Sequence, residues 1–302
     1  MVPSRIIGRL FRNKKPNNDD VDENAVCLRI TTVKLGCNTV LFNQLDLYST
    51  LQHIAWAGYD GVELAYMANM AQHIELNTNK TYVDDIKSMA RNHRLELFAI
   101  EAYFGTLPDK DKIILMTKVF DIASKLSIPV VAIRSEGRTG DIAATKQVLN
   151  YIRKLCEHAE SRGIKLAVKP HVGHSFYNTS TLLELLDEVN SPALGVNLDA
   201  SNFYRAGDDP AAAVLKLGEK IVHTHIRDCS PDRSQNRTPL ELQIAGRGIL
   251  DWPKIIKHLR DVGYKGVLST QIIGAFTCPL SRQMGIAAEA RGYLNRSLQD
   301  LK

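Results

Sequence analysis

Cysteine is scarce and unpatterned in this chain: Cys27, Cys37, Cys156, Cys229 and Cys278 are five in number, scattered, and never spaced C-x-x-C. An odd, dispersed set argues against a disulfide framework and points to a reducing, cytoplasmic compartment. No apolar run approaches the roughly 20 residues of a membrane span, so no membrane span is expected. No G-x-G-x-x-G opens a first helix, which weakens the case for a doubly wound, dinucleotide-binding sheet. Basic runs are also missing from the body of the chain. The net charge of +5 comes from 38 Lys and Arg against 33 Asp and Glu. Residues 1–15 supply all of it through Arg5, Arg9, Arg12, Lys14 and Lys15, with no acid among them. The rest is balanced, so the basic patch of a nucleic-acid-binding fold is not visible and no nucleic-acid partner is expected.

Asp19, Asp20, Asp22 and Glu23 follow the basic stretch. Residues 1–32 thus read as a basic, then acidic, disordered extension ahead of one domain over 33–302. The weakly amphipathic RIIGRLF segment leaves organelle targeting or association with a membrane surface open. An oligomer is equally open.

What the chain does have is a beat. Eight short apolar runs recur at Val33–Val40, Gly61–Tyr66, Leu95–Tyr103, Pro129–Ser135, Ile164–Pro170, Ala193–Asp199, Ile221–Arg227 and Gly266–Ile272. They are nearly continuously apolar, as parallel strands buried on both faces must be. Between and after them the period turns helical, at Leu45–Ala57, Tyr82–His93, Lys112–Leu126, Thr145–Arg162, Thr181–Asn190, Pro210–Leu217, Trp252–Val262 and Gln283–Leu301. Gly58, Gly163 and Gly263 suit the left-handed residue after a helix end. Eight strand–helix units of roughly 30 to 45 residues predict an α/β fold, a (β/α)8 TIM barrel, whose chemistry sits where strands end.

The strand ends are chemically rich. The fifth run delivers Lys169-Pro170-His171, with His174 close behind; the sixth ends at Asp199, followed by Asn202. The seventh carries His223, His225, Arg227 and Asp228, and the eighth Gln271. The second, third and fourth add Glu63, Glu101 and Glu136. Tyr103 and Phe104 stand at the rim as candidate walls for a sugar ring. Arg205, Arg227 and Arg233 suit a phosphate or carboxylate, with surface salt bridging as the bland alternative. In AGRGILDW, Gly246 and Gly248 allow close backbone approach, and Trp252 either caps a helix or walls the pocket.

These segments resemble the sugar phosphate isomerase/epimerase family, the xylose isomerase-like TIM barrels that also include the endonuclease IV type. The resemblance rests on GYDGVELA (58–65), IKLAVKPHVGH (164–174), ALGVNLDASNFYRAGDDP (193–210), IVHTHIRD (221–228) and IAGRGILDWPKIIKHLRDVGYKGVLSTQ (244–271). It implies a divalent metal, Mn, Mg or Zn, held by two glutamates, an aspartate and a histidine, the glutamates doubling as acid and base. Asp199 and His225 match. Lys169 and Gln271 stand in place of the two glutamates, and Asn202 in place of a further histidine. An ammonium cannot ligate and repels a cation placed beside it, so the family site is expected to hold no metal, with Lys169 paired to Asp199.

The resulting expectation is a barrel enzyme acting on a carbohydrate-like or polyhydroxylated carbonyl compound by metal-independent isomerase, epimerase, lyase or dehydratase chemistry. Lys169, Asp199, His225, Glu101 and Glu136 are the catalytic candidates. Gln271, His171, Asn202, Arg227, Tyr103 and Trp252 are the substrate-binding ones. A non-catalytic descendant that binds a small molecule or a protein is the first alternative. A rebuilt, nitrogen-rich metal site drawn from Asp199, His225 and His171, with His174, His223 and Glu136 in reserve, is the second. DNA repair is disfavoured because the multi-zinc ligand set of that branch is incomplete.

Overall fold

The apolar runs do become parallel strands, and the shared hydrogen bonds of neighbouring runs close them on themselves. A computed structural model describes residues 33–235 and 237–301, and these fall in the unit Val33–Lys302. The extension expected over 1–32 lies outside the described residues. The strands are β1 (Leu35–Asn38), β2 (Gly61–Met67), β3 (Ala71–Gln72), β4 (Glu96–Tyr103), β5 (Val130–Arg134), β6 (Lys165–Lys169), β7 (Leu194–Asp199), β8 (Ile221–Ile226) and β9 (Leu268–Thr270). Pairing runs β1-β9-β8-β7-β6-β5-β4-β2, and β1 also pairs with β2, so eight parallel strands form a closed barrel. Closure leaves these strands no free edge. Two-residue β3 is an antiparallel flap on β2 that the apolar pattern does not reveal.

The helices are α1 (Leu47–Trp56), α2 (Lys80–Asn92), α3 (Asp109–Leu126), α4 (Ile142–Glu160), α5 (Thr179–Val189), α6 (Ala200–Arg205), α7 (Pro210–Leu217), α8 (Trp252–Asp261) and α9 (Leu280–Gln299). Several begin earlier than their apolar period indicates, because caps rather than core contacts start them. Asp141 accepts from the Ala144 amide and sets the start of α4 three residues ahead of Thr145. The unexpected α6 has the same origin. Asp199 ends β7 and caps α6, accepting from the Asn202 amide at 3.4 Å. Gly163 follows α4 with φ +65°, as its left-handed role requires.

Three apolar regions result among the described residues, and two of them build the barrel. The larger lies between strands and helices and includes Leu41, Phe42, Met116, Phe120, Leu155, Phe203 and Trp252. The smaller, Ala99, Val130, Ala132 and Ala167 with Val222 against it, fills the barrel toward its N-terminal end. Small residues are required there because an eight-stranded barrel has little interior room. Two β-bulges supply the filling. Opposite Val62 and Glu63, β4 carries Phe98 as an extra residue; opposite Val196 and Asn197, β8 carries Val222. A Cβ on Gly61 would lie 2.5 Å from the Phe98 ring, and one on Gly195 would lie 2.6 Å from both Val222 methyl carbons. The glycines are therefore dictated by close approach.

Candidate active site

Above that plug the barrel axis turns polar. Alternation along each strand brings one inward side chain per wall to a buried network. Lys169 ends β6, and its ammonium meets Glu101 of β4 at 2.7 Å, His225 Nδ1 of β8 at 3.2 Å and Gln271 Oε1, just past β9, at 3.3 Å. Three N–H bonds thus face three acceptors, which is the full hydrogen-bonding capacity of an ammonium. The second oxygen of Glu101 accepts from Asn38 at 2.8 Å and from the Gln271 amide. Lys169, Glu101, His225 and Gln271 are all buried.

Beneath the lysine lies Glu63, from the middle of β2. Its carboxylate is 3.0 Å from His225 Nε2, 3.1 Å from His223 Nε2 and 2.9 Å from the Ser269 hydroxyl, which donates to it. Asn197 Nδ2 also reaches His225 Nδ1 at 3.2 Å. The same amide lies 3.3 Å from Nε2, so it is the Lys169 ammonium, which can only donate, that makes Nδ1 the accepting nitrogen and leaves Nε2 to face Glu63. Burial alone would raise the Glu63 carboxyl. The His225 and His223 rings outweigh that and hold it well below the usual carboxylate range.

Asp199 forms a second unit. Arg227 donates to it at 2.7 Å and the Ser201 hydroxyl at 2.6 Å. Burial opposes its charge, but Arg227, then Lys169 and His225, lower its pKa below the ordinary value. The expected Lys169–Asp199 pair is therefore replaced by Lys169–Glu101 and Arg227–Asp199. The reason is the Arg227 guanidinium, which follows β8 and reaches across to the end of β7.

The other expected residues divide. Tyr103 carries Arg134 on its ring face at 3.8 Å and accepts from it at 2.6 Å through its hydroxyl. His171 stacks on His174 with centroids 4.5 Å apart. Burial, then His174, push His171 down to about 4, so its ring is neutral at pH 7. Asn202 is buried with neither amide atom hydrogen-bonded. Glu136 is displaced from the network, because β5 ends at Arg134 and the Glu136 carboxylate is bridged to Lys112 of α3. Trp252 is not a pocket wall. It is fully buried and its indole donates at 3.1 Å to Asp228, which also accepts from the Cys229, Gly246 and Leu250 amides and knots the β8–α8 loop. Arg233 lies on the Tyr204 ring at 4.3 Å, and Arg205 donates to the Gln235 carbonyl.

Sequence reasoning undervalued two residues. Glu63 sits mid-strand rather than at a strand end, and only inward parity marks it. Arg134 is the one charge in VVAIR, a signal that was there to be used. Burial raises Cys37 and lifts Cys156 to about 11 and Cys229 to about 12, which leaves these three poor nucleophiles.

The four positions of the family metal do not fit a divalent ion. An ammonium occupies the centre of the donor set, and Asp199 is already bound by a guanidinium. The rebuilt set of Asp199, His225 and His171 is not assembled either, since His171 turns to His174. Among the described residues, the group of His and acid donors close enough to hold an ion is Glu63, His223 and His225, whose ligand atoms lie within 4.8 Å of one another. No described helix is long and apolar enough to cross a membrane.

Relatives share this frame. The chain is 23% identical over 252 residues to 3-dehydroshikimate dehydratase of Bacillus anthracis, covering 76% of this chain and 87% of the relative. It is 20% identical over 258 residues to fructoselysine 3-epimerase of Escherichia coli O157:H7, covering 80% and 90%. The leading curated relatives align over only 40 and 44% of their own length. A xylose isomerase-like TIM barrel protein from Mycobacterium smegmatis, solved with magnesium, superposes with a TM-score of 0.71 at 16% identity, covering 90% of this chain and 98% of that one. Homologues of this barrel are thus sugar epimerases and dehydratases, and some bind metal. The signature of one family runs across residues 51–294, through every strand from β2 to β9, and with a closed barrel beneath it this chain belongs to the xylose isomerase-like TIM barrels.

Proposed function

We propose that this barrel moves protons on a polyhydroxylated, carbohydrate-like carbonyl compound, by isomerisation, epimerisation or loss of water, with the Lys169 ammonium in place of a divalent ion. The supporting observation is the position of Lys169 Nζ, held between Glu101, His225 and Gln271. Its longest contact, to Gln271 at 3.3 Å, is the one a substrate carbonyl oxygen would replace. A fixed cation there stabilises the oxygen of an enolate as it develops. The Lys169–Glu101 hydrogen bond offers acid and base in one pair, and the neutral Nδ1 of His225 offers a second acceptor. Buried charges on this scale do not improve stability over an apolar filling, which favours a chemical role for them.

A second reading, a metal held by Glu63, His223 and His225, is favoured by the proximity of those donors. One experiment separates them. Deuterium incorporation from solvent at the carbon beside the carbonyl is followed by NMR across ketoses and cyclic polyhydroxy ketones, with a chelator or with Mn²⁺. Exchange that survives the chelator and vanishes in Lys169→Met is the expected result. Exchange that needs added metal overturns the lysine reading in favour of the second. Silence across the panel in both conditions favours a non-catalytic, ligand-binding barrel.

A further inference from the structure

Most of the buried charges toward the mouth face a group of opposite sign. Lys169 is matched by Glu101, and Arg227 by Asp199. Glu63 faces His223 and His225, and Glu136 is taken by Lys112. Arg134, the last residue of β5, has no carboxylate within ion-pair distance among the described residues. Its guanidinium instead lies on the Tyr103 ring and donates one bond to the Tyr103 hydroxyl, while its Nε is buried without a partner. Arg134 is the register partner of Lys169 and lies two residues beyond the interior Ala132, so it shares the inward side of the wall. Shielding a guanidinium nitrogen from water with nothing to accept from it is costly, and an incoming anion removes that cost.

The wall on the far side of Tyr103 has a different character. Val40, Ala65, Met67 and Ala71 form a small apolar cluster apart from the main core, with Met70, Tyr103 and Ile273 packed on it. Apart from Tyr103 of β4, these come from the turn after β1, from β2, β3 and the turn between them, and from the segment after β9. Tyr103 belongs to both walls. A ligand in this mouth therefore meets hydrocarbon on one side and an unmatched, fork-shaped cation on the other. A planar guanidinium binds a carboxylate or phosphate through two parallel bonds, which a sugar hydroxyl cannot do.

Resting on the reading of the site as a carbonyl-binding barrel, we propose that Arg134 receives an anionic group of the ligand, a carboxylate or a phosphate, while the ligand's hydrocarbon face lies on the Val40–Met67–Ile273 wall. The substrate class narrows from neutral sugars and cyclitols to their acids or phosphates.

The test uses the full chain and reads binding, not turnover. D-Glucuronate, D-glucose and D-glucose 6-phosphate are compared by calorimetric titration and thermal melting, since the three differ in the anionic group. A charged sugar is expected to bind at least tenfold tighter than glucose, and whichever of the two anions wins identifies carboxylate or phosphate. Arg134→Gln is expected to erase the preference, Arg134→Lys to keep only part of it, and Arg138→Gln, an exposed arginine on the loop after β5, to leave it intact. Melting curves without ligand confirm that each variant is folded. Equal binding of glucose and glucuronate, a preference that survives Arg134→Gln, or no binding by either charged sugar overturns the proposal. A chain that binds the acid through Arg134 yet exchanges no deuterium would sink the catalytic reading and leave this one standing.

Discussion

Toward its N-terminal end the barrel axis holds Ala99, Val130, Ala132 and Ala167, with Phe98 and Val222 pressed against glycines; toward its mouth the same axis holds Glu63, Glu101, Lys169, His223 and His225. Both stretches are made by the same strands, a few residues apart. The first is what packing requires: small apolar side chains and two bulged fillers. The second is what packing would avoid, since burying several charges recovers little more than their desolvation cost. The contrast separates the part of the interior that holds the barrel together from the part that is kept for chemistry.

The sharpest way to break this contrast is to make the mouth unbalanced and then make it dry. Glu101→Leu strands the Lys169 ammonium and is expected to cost about 3–5 kcal/mol. The double variant Glu101→Leu, Lys169→Met removes both charges and is expected to regain most of that. Urea denaturation of the three proteins measures it. If the double variant is no better than the single one, the pair is structural and the division drawn above fails.

Acidity discriminates next. The folded His171 ring stays neutral down to about 4, against its ordinary 6.5. Below pH 6.5 the unfolded chain takes up this proton and the native chain does not. The stabilisation is therefore complete above pH 6.5 and is lost between 6.5 and about 4. On the order of 2 kcal/mol is expected to go in that window, shared with His174, whose pKa is also lowered by burial. His171→Phe is expected to flatten the slope in a series of denaturation curves.

The dry end answers to volume alone. Gly195→Ala pushes a methyl group against Val222 and is expected to cost roughly 1–3 kcal/mol. Val222→Ala in the same chain is expected to return part of it, and melting temperatures report both. The smallest effect belongs to Glu136→Gln. Its carboxylate pairs with Lys112 away from the network, and Asp109 stays 3.7 Å from that ammonium; since Gln keeps an acceptor, the change is expected to cost about 1 kcal/mol and to leave ligand binding untouched. A large loss of binding would return Glu136 to the site.

Much of this was legible beforehand because parallel strands buried on both faces leave continuous apolar runs. Each of the eight barrel strands falls within its expected run or passes it by one residue, and Lys169, His225 and Gln271 converge as the strand ends implied. What escaped depended on parity and partners. Nothing local distinguishes Trp252, buried over Asp228, from a tryptophan at a rim. The turn after Arg134 that takes Glu136 out of line is a loop property. Arg227 captured Asp199 through contact across two strands, which spacing does not encode. The starts of α3 and α4 were hidden because exposed first turns are set by caps and charge rather than by apolar period.

The two bulges constrain how this protein can change over time. Phe98 precedes Glu101 in β4, and Val222 precedes His225 in β8, each as the one residue in excess of its neighbour strand. Substitutions at the mouth leave the alternation untouched, so a lysine can replace an acid there and the remaining groups still meet. Loss of a single residue at either bulge would reverse the alternation above it, turning Glu101 or His225 toward the helices. Lineages of this barrel are therefore free to trade chemistries by exchanging side chains, while insertions and deletions in β4 and β8 are closed to them.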